Sequence, residues 1–217
     1  QNDFLLDYVS YATLFKCLSI EKIITLFECL LLESRTIFVS KKLGKLSECV
    51  HAAVALLNPF SWQYVFIPVL PTSLLGYCCA PMPFVVGITS NSLQELSQLP
   101  IEEVIQIDLD KGSFTSLPQR HTVLDESMRN YLNTSLHKIK SACKLGDKTF
   151  DLNVGRCFLS LLFRYCGYYK LFLSTTTFKK EDFLDSQPPQ YREAATTILE
   201  TQMWSVFAHE REELLKQ

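Results

Sequence analysis

Charge is missing from the middle of this chain, and glycine is sparse along all of it. No Asp, Glu, Lys or Arg occurs between Glu48 and Glu95. The gap is not a membrane span. A spanning helix needs about 20 consecutive apolar residues, and Pro59, Pro68, Pro71, Pro81 and Pro83 break the run, each removing a backbone donor and clashing with the preceding turn. The opening stretch QNDFLLDYV lacks the basic n-region of a signal peptide. The seven glycines, at 44, 76, 87, 112, 146, 155 and 167, are all isolated. A P-loop or dinucleotide turn needs clustered glycines so that backbone amides can approach phosphate, so neither is expected and no cofactor is implied.

Other absences narrow the chemistry. There is no C-x-x-C, no G-x-S-x-G elbow and no H-E-x-x-H, which removes the usual zinc, redox, hydrolase and metalloprotease spacings. His51, His121, His137 and His209 are scattered. His51 flanks an apolar helix face and reads as structural. Glu102 and Glu103 are adjacent, so their carboxylates point apart in either a strand or a helix and do not form an acid–base pair. The eight cysteines sit largely in apolar, helix-like segments, where reduced Cys acts as a small hydrophobe. The expectation is reduced thiols, no disulfide, no metal and a cytoplasmic setting. A net charge of -2 gives no electrostatic footprint for nucleic acid.

What is present is a chain 47% hydrophobic and 12% aromatic, a globular composition. Positions 1–110 carry six basic and eleven acidic residues, whereas 111–217 carry fifteen and twelve. That shift predicts two units, residues 1–110 and 111–217. In the first, Ser19 can cap a helix whose Ile20, Ile23, Ile24, Phe27 and Leu31 form one apolar stripe. TIFVS (36–40) reads as a buried strand. A helix over 46–57 follows, stopped by Asn58-Pro59, then a strand at 64–67, a short helix around 74–79, the strand FVVGI (84–88) and a further strand at 104–109. Strands alternating with helices predict an α/β fold with a largely parallel sheet sandwiched by helices. Continuous apolar strands fit burial on both faces. The stretch 110–125 reads as a loop-like joint. Beyond Asp125 the pattern is helical, including a long helix over 154–173, and predicts an all-helical C-terminal subdomain.

Lys41, Lys42 and Lys45 form a basic cluster just after the first strand. In parallel sheets, ligands and partners meet the loops at the carboxyl ends of strands. The candidate partner-binding residues are therefore Ser40, Lys41, Lys42 and Lys45, with Phe60, Trp62 and Gln63 contributed by a second turn. No catalytic constellation accompanies them, which favours work on another protein's surface.

The stretch LLLESRTIFVSKKLGKLSECVHAAVALLNPFSWQYVFIPVLPTSLLGYCCAPMPFVVGI, positions 30–88, resembles the central segment of the DENN-domain family. The likeness rests on Arg35, His51, Pro59-Phe60, Trp62-Gln63, Ile67-Pro68, Leu70-Pro71, Ala80-Pro81 and Pro83-Phe84, in that order. YYKLFL, EDFLDSQPP and ETQMWSVFAHERE are similar to the family's downstream helical segment. Gly76 stands where the family usually has an acidic residue, and the longin-like N-terminal lobe of a full DENN module is not seen before QNDFLL. The resemblance implies the C-terminal lobe of a guanine nucleotide exchange factor for a Rab-type small GTPase. It also implies a peripheral role in membrane trafficking at vesicle or endosomal membranes. The alternative is a non-catalytic DENN-fold scaffold, distinguished by leaving GDP release unchanged.

Overall fold

A computed structural model describes residues 9–117, 122–173 and 178–215. His121 and the QNDFLL stretch lie outside the described residues. The described residues begin with helix α1 (Ala12–Cys17), then α2 (Ile20–Leu31), with Ser19 accepting from the Lys22 amide as its cap. Strand β1 (Thr36–Ser40) leads into α3 (Leu43–Ala55). Strand β2 (Val65–Ile67), a 3-10 segment (Thr72–Cys79), β3 (Phe84–Thr89), the short helix α4 (Leu93–Leu96), β4 (Ile105–Asp108) and β5 (Ser113–Ser116) follow.

The five strands form one sheet in the order β2-β3-β1-β4-β5. β1 runs parallel to both β3 and β4, and β2 runs parallel to β3. Side chains alternate across β1, so Phe38 enters one apolar core while Ile37 and Val39 enter another on the opposite face. All five β1 residues are buried as a result, which explains the uninterrupted apolar reading of TIFVS. The chain is an α/β fold with a mostly parallel sheet, flanking helices and a helical C-terminal region.

Two expectations change. The joint over 110–125 contains β5, an antiparallel edge strand on β4. It is entered through Gly112 at φ 63, where a Cβ would meet the Cys17 carbonyl at 2.4 Å. The long helix ends earlier than 173: α6 (Lys148–Cys166) tightens into a 3-10 segment at Gly167–Phe172.

The helical region comprises α5 (Glu126–Ala142), α6, α7 (Lys180–Ser186), α8 (Pro189–Leu199) and α9 (Gln202–Leu215). It packs on the same face as α2, and its core is continuous with that of the sheet. Carboxylates fasten the two regions. Glu28, fully buried on α2, accepts from the amides of Val123 and Leu124 and pairs with Arg129 on α5. Glu33 accepts from the amides of Gln202 (3.1 Å) and Met203 (2.9 Å) at the start of α9. Asp151 accepts from the Tyr11 amide at 2.8 Å.

Candidate functional site

The carboxyl edge of the sheet is a rim of short connections. The β1–α3 turn is held by Asp110, two residues beyond β4. Its carboxylate accepts from the Ser40 hydroxyl (3.1 Å), the Lys41 amide (2.7 Å) and the Lys45 ammonium (2.7 Å). The Ser40 hydroxyl in turn accepts from the Lys42 amide at 3.2 Å. Asp108 braces the neighbouring turn, accepting from the Asp110 and Lys111 amides at 2.9 Å each and pairing with the Lys111 ammonium at 3.3 Å. Beyond β3, the Ser92 hydroxyl meets those of Thr72 (2.8 Å) and Thr89 (3.2 Å).

These contacts fix the ionisation of the rim. The Lys45 hydrogen bond, followed by the Lys41 amide, holds the Asp110 carboxyl down at about 2. The same bond raises Lys45 above its ordinary value. Burial opposes ionisation of Asp108, but the amides and ammonium around it outweigh burial, and its carboxyl also lies low. Because the folded Asp110 pKa is below the ordinary 3.8, its stabilisation is present above about pH 4 and is lost as pH falls through about 2. Asp110→Asn should therefore cost about 1 kcal/mol at neutral pH. The gap to wild type should close below about pH 2. Urea melts of both proteins from pH 7 down to about pH 1 check this. A gap that persists at the acid end would assign the loss to something other than the Asp110 charge.

The expected partner-binding residues divide into three groups. Lys41 and Lys42 are exposed on the rim, with Leu43 beside them at the start of α3. Ser40 and Lys45 are supports: Ser40 is buried, and Lys45 lies in the first turn of α3, tied to Asp110. The expected loop over 40–45 is thus half helix, because α3 begins at Leu43, one turn ahead of its apolar stripe.

Phe60, Trp62 and Gln63 form the third group, and they are not on this rim. They precede β2, and β2 is parallel to β3, so they sit at the amino edge. The five residues of β1 separate the two edges by about 16 Å. Phe60 is buried, edge-on to Trp204 and Phe207 of α9. Trp62 is half-buried, donates through Nε1 to the Val65 carbonyl (3.2 Å) and packs edge-on to Tyr64. Gln63 is exposed, its amide donating to the Ser61 carbonyl at 2.8 Å. On this edge Arg35 reaches the carbonyls of Ala80 (3.5 Å) and Glu102 (2.5 Å), and Tyr64 donates to Glu33 at 3.3 Å.

Sequence reasoning missed Asp108 and Asp110. The available signal was a pair of acidic residues flanking the end of a strand that, if adjacent to β1, faces the lysine cluster. The covalent options narrow further. All eight cysteines are free thiols, with the sulfurs of Cys17 and Cys49 4.0 Å apart. Burial pushes Cys29 up to about 12 and Cys78 and Cys157 to about 11, so these three are not thiolates at neutral pH. Among the described residues, no three His, Cys, Asp or Glu gather in a way that could hold a metal ion. Nor is any helix among them long and apolar enough to cross a membrane.

Comparison with known proteins decides the family. A family model of the DENN (AEX-3) domain matches residues 1–112, and one of the dDENN domain matches residues 178–217. The chain belongs to the DENN-domain family. Over 95% of its length it is 38% identical to DENN domain-containing protein 2B of Mus musculus and 35% identical to DENN domain-containing protein 2A of Homo sapiens. It is 31% identical to DENN domain-containing protein 2D of Homo sapiens. It spans 20%, 22% and 45% of those relatives, respectively. In this DENN chain the two matched segments meet at Glu33, which belongs to the first and caps α9 of the second. Gly76, the departure noted on the 3-10 segment, faces open space, so the missing acidic side chain leaves no hole.

Proposed function

We propose that this chain is the C-terminal lobe of a DENN-type guanine nucleotide exchange factor that binds a Rab-type small GTPase and promotes GDP release. The observation that carries the reading is membership of the DENN-domain family, matched in both the sheet region and the last helices. The physics of exchange agrees with the rim. An exchange factor performs no covalent chemistry. It binds the nucleotide-free GTPase more tightly than the loaded one, and by linkage the nucleotide is held correspondingly less tightly. Such work requires a stiff, charged surface, and Asp108 and Asp110 stiffen this one. We assign the first contact to Lys41 and Lys42, with Leu43 as an apolar neighbour, and place a longin-like lobe as the other wall of the GTPase site. The same reading puts the protein at vesicle or endosomal membranes as a peripheral component.

The test is a fluorescent-GDP release screen of the full-length protein, longin-like lobe included, against a panel of Rab GTPases. One member should release GDP at least tenfold faster. Lys41→Glu with Lys42→Glu should then slow stimulated release by about tenfold at low salt and less at high salt, because exposed charges act mainly on encounter. Lys45 is left intact, since reversing it would set two carboxylates together at Asp110. A GTPase that binds with its GDP release unchanged would make the protein a scaffold.

A further inference from the structure

The helical region carries an apolar ridge that faces water. Helix α6 buries Phe150, Val154, Phe158, Leu161 and Leu162, yet Leu152, Leu159 and Phe163 lie outward. Phe163 is 57% exposed, and the ridge continues into the 3-10 segment with Tyr168 at 60% and Leu171 at 78%. A hollow lies on each side of Leu159 and Phe163. The larger, about 860 Å³, is closed opposite by Pro188 and Tyr191 at the α7–α8 junction. The smaller, about 260 Å³, is closed by Pro59, Phe60 and Phe207. A contiguous exposed apolar surface of this kind marks an interaction site.

The stretch of sequence that carries the ridge is basic, whereas Asp185 adjoins the opposite wall of the larger hollow. No acidic residue lies between Asp151 and Glu181, while Arg156, Arg164, Lys170, Lys179 and Lys180 all do. Lys179 and Lys180 stand near Asp182 (3.9 Å) and Glu200 (3.5 Å). Arg164 lies over the Tyr131 ring at 4.9 Å, on the wall of the larger hollow. Arg156 and Lys170 are exposed on the ridge itself.

We propose that this ridge is a docking site for an amphipathic helix with acidic flanks. The surface is built from helices whose backbone groups are bonded within themselves, so it offers no strand edge for an extended peptide to join. It offers hollows on both sides of one ridge instead, and an amphipathic helix fills such hollows with anchors at i, i+3 or i+4, and i+7. The concave shape of the larger hollow favours a helix over a flat bilayer. Arg156, Arg164 and Lys170 then meet Glu or Asp flanking the anchors. This surface lies on α6, away from the Asp110 rim, so occupation of one leaves the other open.

The experiment uses the 217-residue chain and fluorescence anisotropy. The probe is a labelled peptide of about 18 residues, five helical turns, with Leu and Phe anchors and Glu elsewhere. A second probe replaces every Glu by Lys. The acidic probe should bind in the micromolar range and the basic one at least tenfold more weakly, with the difference shrinking in high salt. Phe163→Ser should weaken acidic-probe binding by about tenfold, as loss of a central anchor does. Leu171→Ser, at a position too exposed to support the core, should weaken it as well, and circular dichroism confirms that each variant is folded. Equal binding of the two probes, no binding, or folded variants that bind like wild type would each overturn the proposal. So would anionic lipid vesicles that capture the chain through Phe163, or self-association that Phe163→Ser abolishes.

Discussion

Replacing Arg129 by Met should lower the unfolding free energy by about 2 kcal/mol, less than for a pair buried on both sides because the Arg129 side chain is 38% exposed. Glu28 is fully buried on α2, and its carboxylate has three partners: the Val123 and Leu124 amides and the Arg129 guanidinium. Met keeps the length and apolar stem of Arg, so lost packing is small. What remains is a carboxylate held by two amides, without a countercharge, in a low-dielectric setting. Adding Glu28→Gln removes the stranded charge while keeping the carbonyl acceptor. The double variant should therefore recover part of the loss, and the two changes should not add. Urea denaturation of the four proteins of the cycle measures this. An additive cycle would mean that the ion pair contributes nothing beyond its hydrogen bonds to backbone.

Gly87→Ala should be at least as damaging, which runs against the usual trend. In a strand interior Ala is ordinarily the better residue, and replacing Gly reduces the freedom of the unfolded chain by about 0.4–1 kcal/mol. Here the ideal Cβ would stand 2.1 Å from the Pro68 carbonyl oxygen and 2.8 Å from Leu46 Cγ. The first obstacle is backbone and cannot rotate away. Relief requires β2 to move off β3, which breaks the 2.7 Å bond from the Leu70 amide to the Gly87 carbonyl. Overpacking of this kind costs about 1–3 kcal/mol, occasionally more, and this site belongs at the upper end. Loss of hydrogen-exchange protection at Leu70 and Ile67, together with a lower urea midpoint, is the expected result. A stabilised variant would show that the two strands separate at no cost.

How far the sequence foretold this structure depends on the range of the interaction. β1, β3 and the stripe of α2 were legible because burial on both faces, or on one helical face, leaves a pattern within a dozen residues. β5 was not. SFTS is half exposed at a sheet edge and makes no apolar alternation, and only its register against β4 defines it. The rim was legible as a lysine cluster following a strand, but its organisation was not. Lys45 meets Asp110, 65 positions away, because β1 and β4 are neighbours, and no local pattern encodes strand order. The placement of Phe60, Trp62 and Gln63 could have been reasoned out, since residues that precede a parallel strand lie at its amino edge. Phe60, a partner-binding candidate by its position ahead of a strand, is buried because its cover, Trp204 and Phe207, arrives from α9.

That cover has a consequence for biosynthesis. Phe60 and Glu33 are translated more than a hundred residues before their partners on α9, Phe207 and Met203. At about 5–20 residues per second, the wait between translating Phe60 and translating Phe207 is on the order of ten seconds. Throughout that interval the nascent sheet region carries an aromatic side chain without its lid and a carboxylate without the helix it caps. Translation arrested before Trp204 would leave a sticky intermediate, because α9 is the element that covers Phe60 and engages Glu33.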